Sequence, residues 1–292
     1  MKRSLVLVLC IVCAFCAVGF AACSGNGTGV KKATINDNGE LIITLTDDEE
    51  INAGKIDAYH DQQGLAFYPL PDGTYCVEAG QAKYAEEIAV PSVFNGKAVT
   101  AIGDGAFSRC TNLKNIVIPD SVKIVDEGAF YRCDKLTSVI IPDSVLEIRD
   151  GAFEYCVGLT EVDLGSGVKY LGNGAFRYCS ALTSVIIPSA VTSLGLSVFV
   201  GCSSLENVAF GENSQLTEIK DGAFSLCGKL TGIAIPACVT SIGEGVFNKC
   251  IALQSISFDG TVEKWNSISK GDRWSFGVPA TAVQCTDGTA KI

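Results

Sequence analysis

One three-residue step recurs along this chain at a nearly fixed distance and limits what the chain can fold into. A Gly/Ser-Ala/Val-Phe step ends at Phe107, Phe130, Phe153, Phe176, Phe199, Phe224 and Phe247, with spacings of 23, 23, 23, 23, 25 and 23 residues. Three residues after each phenylalanine stands a cysteine (Cys110, Cys133, Cys156, Cys179, Cys202, Cys227, Cys250). Three further on stands a leucine: Leu113, Leu136, Leu159, Leu182, Leu205, Leu230 and Leu253. A period in this range marks stacked units rather than one globular core, because each unit has an apolar face that only a neighbouring copy can cover. That removes the expectation, natural for 292 residues, of one large or two ordinary domains.

Each leucine is followed by a short alternating segment, such as Ile116-Val117-Ile118 or Val139-Ile140-Ile141. Its outer members are always Ile, Val, Leu or Phe. The middle position varies through Val117, Ile140, Asp163, Ile186, Ala209, Ala234 and Ser257. Period-two alternation with one apolar side predicts a half-buried strand. A turn residue then usually stops it (Pro119, Pro142, Gly165, Pro188, Gly211, Pro236). A second apolar stretch follows, with pairs such as Val122 and Val125, or Val239 and Ile242, and leads back to Gly-Ala-Phe. One unit therefore reads as strand, turn, short second strand, and a bend carrying Phe and Cys. The single 25-residue unit holds its extra length near Gly211-Glu212-Asn213-Ser214, where a turn can grow.

Leu113-x-x-Ile116-x-Ile118 resembles the leucine-rich-repeat signature. The fuller pattern Gly-Ala-Phe-x-x-Cys-x-x-Leu-x-x-Val/Ile-x-Ile-Pro-x-x-Val resembles the BspA-type leucine-rich-repeat family over roughly residues 85–258. The resemblance implies a β-rich leucine-rich-repeat solenoid, a right-handed coil of 23-residue repeats over 99–258. Tyr75-Cys76-Val77 and Ile88-Ala89-Val90-Pro91 resemble the family's lead-in, which places an N-terminal cap at 61–98. Trp265-Asn266-Ser267-Ile268 through Cys285-Thr286-Asp287-Gly288 resembles its C-terminal ending, a cap at 259–292. Residues 31–60 match neither, and Asn38-Gly39 between apolar runs predicts a small hairpin spacer there.

The N-terminus reads as an address. Lys2-Arg3 precede an uncharged run from Leu5 to Cys23, the pattern of an export signal over 1–22. Phe20-Ala21-Ala22-Cys23 resembles a bacterial lipobox, which implies a lipid on the Cys23 thiol and a polar tether over 23–30. The competing reading is a membrane-spanning anchor, since the run nearly suffices to cross a bilayer. Either reading puts the remainder outside the cell, with the membrane engaged only through the N-terminus.

Composition and motifs exclude several functions. The net charge is −10, and loss of Lys2 and Arg3 would leave 20 basic against 32 acidic residues, or −12, a surface that repels nucleic acid. His60 is the only histidine and lies before the repeats, so a Ser-His-Asp or Cys-His catalytic system would have to use this one residue. No phosphate-cradling Gly-rich loop, histidine zinc set or post-signal CxxC pair occurs, so neither cofactor nor metal is expected. A two-carboxylate glycosidase would need paired acids in a cleft, and the varying strand position offers only Asp163. The cysteine ladder reads as reduced thiols filling one interior slot per coil, while pairing of Cys76, Cys238 and Cys285 stays open.

A solenoid lines up equivalent positions on a long face. The outward rows expected here are Thr137, Thr160, Thr183 and Thr231, and beside them Val117, Ile140, Asp163 and Ile186. Exposed aliphatic and hydroxyl side chains together suit ligand contact, although β-propensity alone would also select them. The family resemblance implies surface adhesion, with host matrix or plasma proteins as ligands of some members. A glycan-binding or cell-wall scaffold is the second reading, and an enzyme the third.

Overall fold

The alternation Ile-x-Ile closes into strands because each strand finds the same strand of the next coil at hydrogen-bonding distance. The structure, a computed structural model, describes residues 61–292 and, ahead of them, the backbone of the strands Val30–Ile35, Glu40–Leu45, Glu50–Lys55 and Tyr59–His60. Residues 1–22, read from the sequence as an export signal, and 23–30, read as a lipidated tether beginning at Cys23, lie outside the described residues, apart from Val30 at a strand start. Val30–Ile35 and Glu40–Leu45 pair antiparallel, and Glu50–Lys55 adds a third antiparallel strand to what the sequence reads as a two-stranded hairpin. Residues 36–39, where the sequence places Asn38-Gly39 of the expected hairpin, lie outside the described residues.

From Tyr75 onward the chain is a β-solenoid with nearly no helix. One face is a parallel ladder of nine short strands, from Tyr75–Glu78 and Lys97–Ile102 through two-residue strands such as Ile124–Val125, Glu147–Ile148 and Tyr170–Leu171 to Ser269–Lys270. The other face carries the longer strands Asn115–Val117, Ser138–Ile141, Glu161–Leu164, Ser184–Ile187, Asn207–Phe210, Gly232–Ile235, Ser255–Phe258 and Ala282–Cys285. Its ladders are parallel until Gly288–Lys291 folds back antiparallel at the C-terminal edge. Within the repeats partners are 23 residues apart, as in Ile140 with Asp163, except across the long unit, where Ser193 faces Glu218, and the offset grows at the ends, where Glu87 faces Asn115 and Ser241 faces Ser269. The two extra residues are absorbed in the turn after Phe210, where Gln215 N–H donates to Ser189 O.

The bend forms a third hydrogen-bonded side. Phe130 N–H donates to Ala152 O at 2.7 Å and Phe153 N–H to Ala175 O at 2.7 Å, and the contact repeats along the stack. Each bend turns through two left-handed residues. One is the glycine of Gly-Ala-Phe (Gly105, Gly128, Gly151, Gly174, at φ 57–61°), replaced once by Ser197. The other stands two residues after Phe, as Arg109, Arg132, Tyr155, Tyr178, Gly201, Leu226 and Lys249. Glycine is required at Gly201 for a further reason, since a Cβ there would strike the Tyr178 ring.

The interior is a set of side-chain ladders. The seven phenylalanines are fully buried and stacked nearly parallel, with centroids 4.9–5.8 Å apart. Offset stacking at this separation is favourable beyond the burial itself, which contributes on the order of 1.5–3 kcal/mol per ring. Beyond Phe247 the stack ends on Trp274, turned 71° to it, with Trp265 packed on Trp274 and Phe258. Trp265 belongs to the helix Val262–Ser267, whose first turn is capped by the Thr261 hydroxyl accepting from Lys264 N–H. At the other end Phe67 stacks on Phe94, and the Gln63 side-chain amide donates to Ala89 O at 3.0 Å and accepts from Ala89 N–H, meeting the strand Glu87–Ala89 as a peptide group would.

Candidate ligand-binding face

The longer strands set the functional surface because their alternation points one side chain inward and the next outward. In Ser138–Ile141, Glu161–Leu164 and Ser184–Ile187 the burial pattern is exposed, buried, exposed, buried. Val139, Val162 and Val185 enter the core, while Ile140 and Ile186 stand out with 69% and 64% of their surface exposed. Ile140 lies directly opposite Asp163. Glu161 lies opposite Ser184, so two residues further along the same register Asp163 faces Ile186. Val117, 23 residues before Ile140, is outward at 56% exposure on a strand that pairs with Glu87–Ala89 rather than with Ser138–Ile141. The structure thus brings Val117, Ile140, Asp163 and Ile186 into one outward line, with Asp163 between two isoleucines.

The threonines are exposed but stand one residue ahead of the strands, not on them. Two of their hydroxyls, those of Thr160 and Thr183, are already in use. Thr160 Oγ1 donates to Thr137 O at 2.9 Å, and Thr183 Oγ1 donates to Thr160 O at 3.2 Å. Each such carbonyl also accepts the backbone N–H of the same threonine. This row stitches one coil to the next. The outward row that does share the strands with Ile140 comprises Asn115, Ser138, Glu161, Ser184 and Asn207, which reasoning from threonine alone passed over.

Where the strands end, the corner opens a groove of about 570 Å³ lined by Ile140, Ile186, Asp163, Asp120, Asp143 and Ser166 among others, with no lysine or arginine. Asp143 is anchored, its Oδ1 accepting from the N–H and hydroxyl of Ser166 at 2.7 and 2.9 Å, and these bonds lower its pKa. A second hollow of about 530 Å³ shares Gly211 with the first and continues past Glu212, Cys238, Asp259 and Lys264. The bend edge on the opposite side differs in charge and form. There Tyr155 and Tyr178 stack at 4.9 Å, and the Arg132 guanidinium lies 5.0 Å from the Tyr155 ring. Those rings cover one another's faces, so the edge offers no open aromatic platform.

The cysteines serve the coil. Cys133 S–H donates to Phe107 O at 3.1 Å, and Cys156, Cys179, Cys202, Cys227 and Cys250 repeat the bond to the preceding coil's phenylalanine carbonyl at 3.1–3.3 Å. Burial pushes the Cys110, Cys202 and Cys250 thiols up to about 12, which keeps them protonated and poor nucleophiles. Cys76, Cys238 and Cys285 are also free thiols. Among the described residues no group of three or more His, Cys, Asp or Glu is placed to hold a metal ion, and no helix is long and apolar enough to cross a membrane. His60 falls in the strand Tyr59–His60; its side chain lies outside the described residues.

Parallel ladders on two faces, a buried Phe–Cys–Leu interior and a 23-residue repeat define the leucine-rich-repeat class of solenoids. Within it, the family described as the BspA type leucine rich repeat region matches residues 84–206 and 171–269 in six copies, and the chain belongs to that family. Among solved structures it is similar to a leucine rich cell surface protein from Faecalibacterium prausnitzii, at 32% identity and TM-score 0.62 over 70% of this chain and 55% of that one. The chain therefore spans about half the length of that relative. A Treponema pallidum leucine rich repeat protein matches at 27% identity and TM-score 0.48 over 58% of this chain and 89% of that one. A Bacteroides ovatus repeat protein matches at 23% identity and TM-score 0.49 over 80% and 76%. No curated protein matches the chain.

Proposed function

We propose that the chain is an exported, non-catalytic binding module held at a bacterial cell surface by a lipid on Cys23, and that it takes an extracellular protein on its longer-strand face. The observation that carries this reading is the exposed line Val117–Ile140–Asp163–Ile186 beside an open groove. Three β-branched aliphatic side chains stand on one solvent-facing row, interrupted by Asp163, and exposed apolar surface gathered on one face is a feature of docking sites. The rigid backbone beneath them, hydrogen-bonded coil to coil, presents the patch with little ordering cost. The name of the Faecalibacterium relative, a cell surface protein, agrees with export.

The test is binding of the full-length, detergent-solubilised chain to an array of matrix proteins, plasma proteins and glycans. Protein spots should bind, and the double substitution Ile140→Lys/Ile186→Lys should weaken them at least tenfold with the fold retained by circular dichroism. Binding confined to glycans, or protein binding indifferent to the double substitution, would refute the reading.

A further inference from the structure

The chemistry of the docking partner follows from what lies between the two isoleucines. Asp163 occupies the outward position of a parallel strand, where its β-propensity is poor, and its cross-coil neighbours on both sides are aliphatic. Among the described residues its carboxylate has no ion pair or hydrogen bond. Neighbouring strands are about 4.8 Å apart, so Ile140 and Ile186 stand roughly 10 Å apart across it. Carbon–carbon contact is optimal near 3.5–4.0 Å. The Asp163 carboxylate reaches as far out from the strand as the flanking isoleucine tips, so a methylene chain whose charged end rests on it runs across one of them. The groove continues to Asp143 and Asp120 with no cation in its lining.

We infer that this surface takes an extended basic segment of a protein, with the charged head of one Lys or Arg on Asp163 and its stem lying across Ile140 or Ile186. Lysine and arginine are the side chains with an apolar stem and a cationic tip, and this row presents a carboxylate flanked by exposed aliphatic tips. Along an extended segment, side chains on one side recur at about 6.6–7 Å, so a second cation two residues on continues toward the corner carboxylates. Acidic polymers are repelled by the same groups. The inference rests on the docking reading above and adds the partner's charge and the residue that reads it.

The experiment uses the whole chain and three fluorescein-labelled peptides, (Lys-Ser)4, (Gln-Ser)4 and (Glu-Ser)4, followed by fluorescence polarisation at 50 and 500 mM NaCl. At low salt the lysine peptide should bind at least tenfold more tightly than the other two. Asp163→Asn should weaken it about three- to fivefold, the scale of one exposed ion pair, and high salt should erase that difference through screening. Ile140→Ala and Ile186→Ala should weaken it at both salt concentrations. Glu218→Gln makes the same charge change on the other face and should leave binding unchanged. Equal binding of the three peptides, or an Asp163→Asn effect no larger than that of Glu218→Gln, overturns the inference. If the isoleucine substitutions abolish capture of array proteins while Asp163→Asn does not weaken it, the docking reading stands and this inference alone falls. Indifference to all three sinks both.

Discussion

Replacement of a ring in the middle of the phenylalanine stack should cost more than the same replacement at its end, and the difference is readable from the packing. Phe153 lies between Phe130 at 4.9 Å and Phe176 at 5.2 Å, with interplanar angles of 7° and 2°. Phe107 stacks on one phenylalanine, Phe130 at 5.3 Å. Both rings are completely buried. Leucine preserves most of the apolar burial, so Phe→Leu isolates the ring–ring contribution, about 0.5–1.5 kcal/mol per stacked pair beyond area. Phe153→Leu should therefore lose about 1–3 kcal/mol and Phe107→Leu about half that. Against a total stability on the order of 5–15 kcal/mol, both shifts are measurable by urea titration. Two probes should be followed. Far-UV circular dichroism averages over all coils, whereas fluorescence of Trp265 and Trp274 reports the C-terminal coils where both sit. Because coils contact only their neighbours, Phe153→Leu should move the dichroism midpoint further than the fluorescence midpoint. Equal midpoint shifts for Phe107→Leu and Phe153→Leu, or a larger one for Phe107→Leu, would refute the assignment of stability to stacked rings.

Native maleimide labelling should modify the half-exposed Cys238 and Cys285 and spare Cys76 and the seven ladder cysteines until urea is added; mass spectrometry of digests reads the pattern. Glu78 is held above its ordinary pKa, chiefly by burial and then by Asp104. The folded state thus keeps its proton in a range where the unfolded chain has released it, so this group's contribution falls as pH rises from the ordinary carboxylate value through the raised one. Glu78→Gln should raise Tm at pH 7 and leave it unchanged near pH 4, below both values; an equal gain at both pH values would point to packing instead. Radiolabelled palmitate fed to an expressing bacterium should enter the wild-type chain and be lost in Cys23→Ser, and retained label would place the lipid elsewhere.

The repeat was legible because burial imposes the same demand once per coil. Phe153 and Phe176 occupy one slot and had to be the same kind of residue, and the alternation around Ile140 followed from which side faced the core. The glycine of Gly-Ala-Phe was visible as a recurring residue, but its cause, a left-handed φ near 60°, emerges only from the backbone. Elements that occur once carry no period, so the helix Val262–Ser267 and the closing hairpin at Gly288–Lys291 were not foreseen. The cysteine slot read as small and apolar. That the thiol also donates across coils to a phenylalanine carbonyl depends on a distance no spacing encodes. The threonine row shows the converse. A hydroxyl looks available in a sequence, and only the geometry shows Thr160 spending its proton on Thr137 O. Asp163 between two isoleucines was there to be read from the 23-residue offset; the groove beside it, assembled from Asp120, Asp143 and Ser166 of successive turns, was not.

The long unit at Gly211–Ser214 separates two parts of the coil by their tolerance for change. At the corner, two added residues leave the flanking strands in register, with Ile186 still facing Ala209 and Leu194 facing Ile219. The bend has no such slack, since its paired left-handed residues, its thiol bond and its ring all depend on neighbours one coil away. New loops can therefore accumulate at the corner without disturbing the stack, and that corner borders the groove. A protein built this way can reshape the rim of its contact surface while the scaffold beneath keeps its geometry.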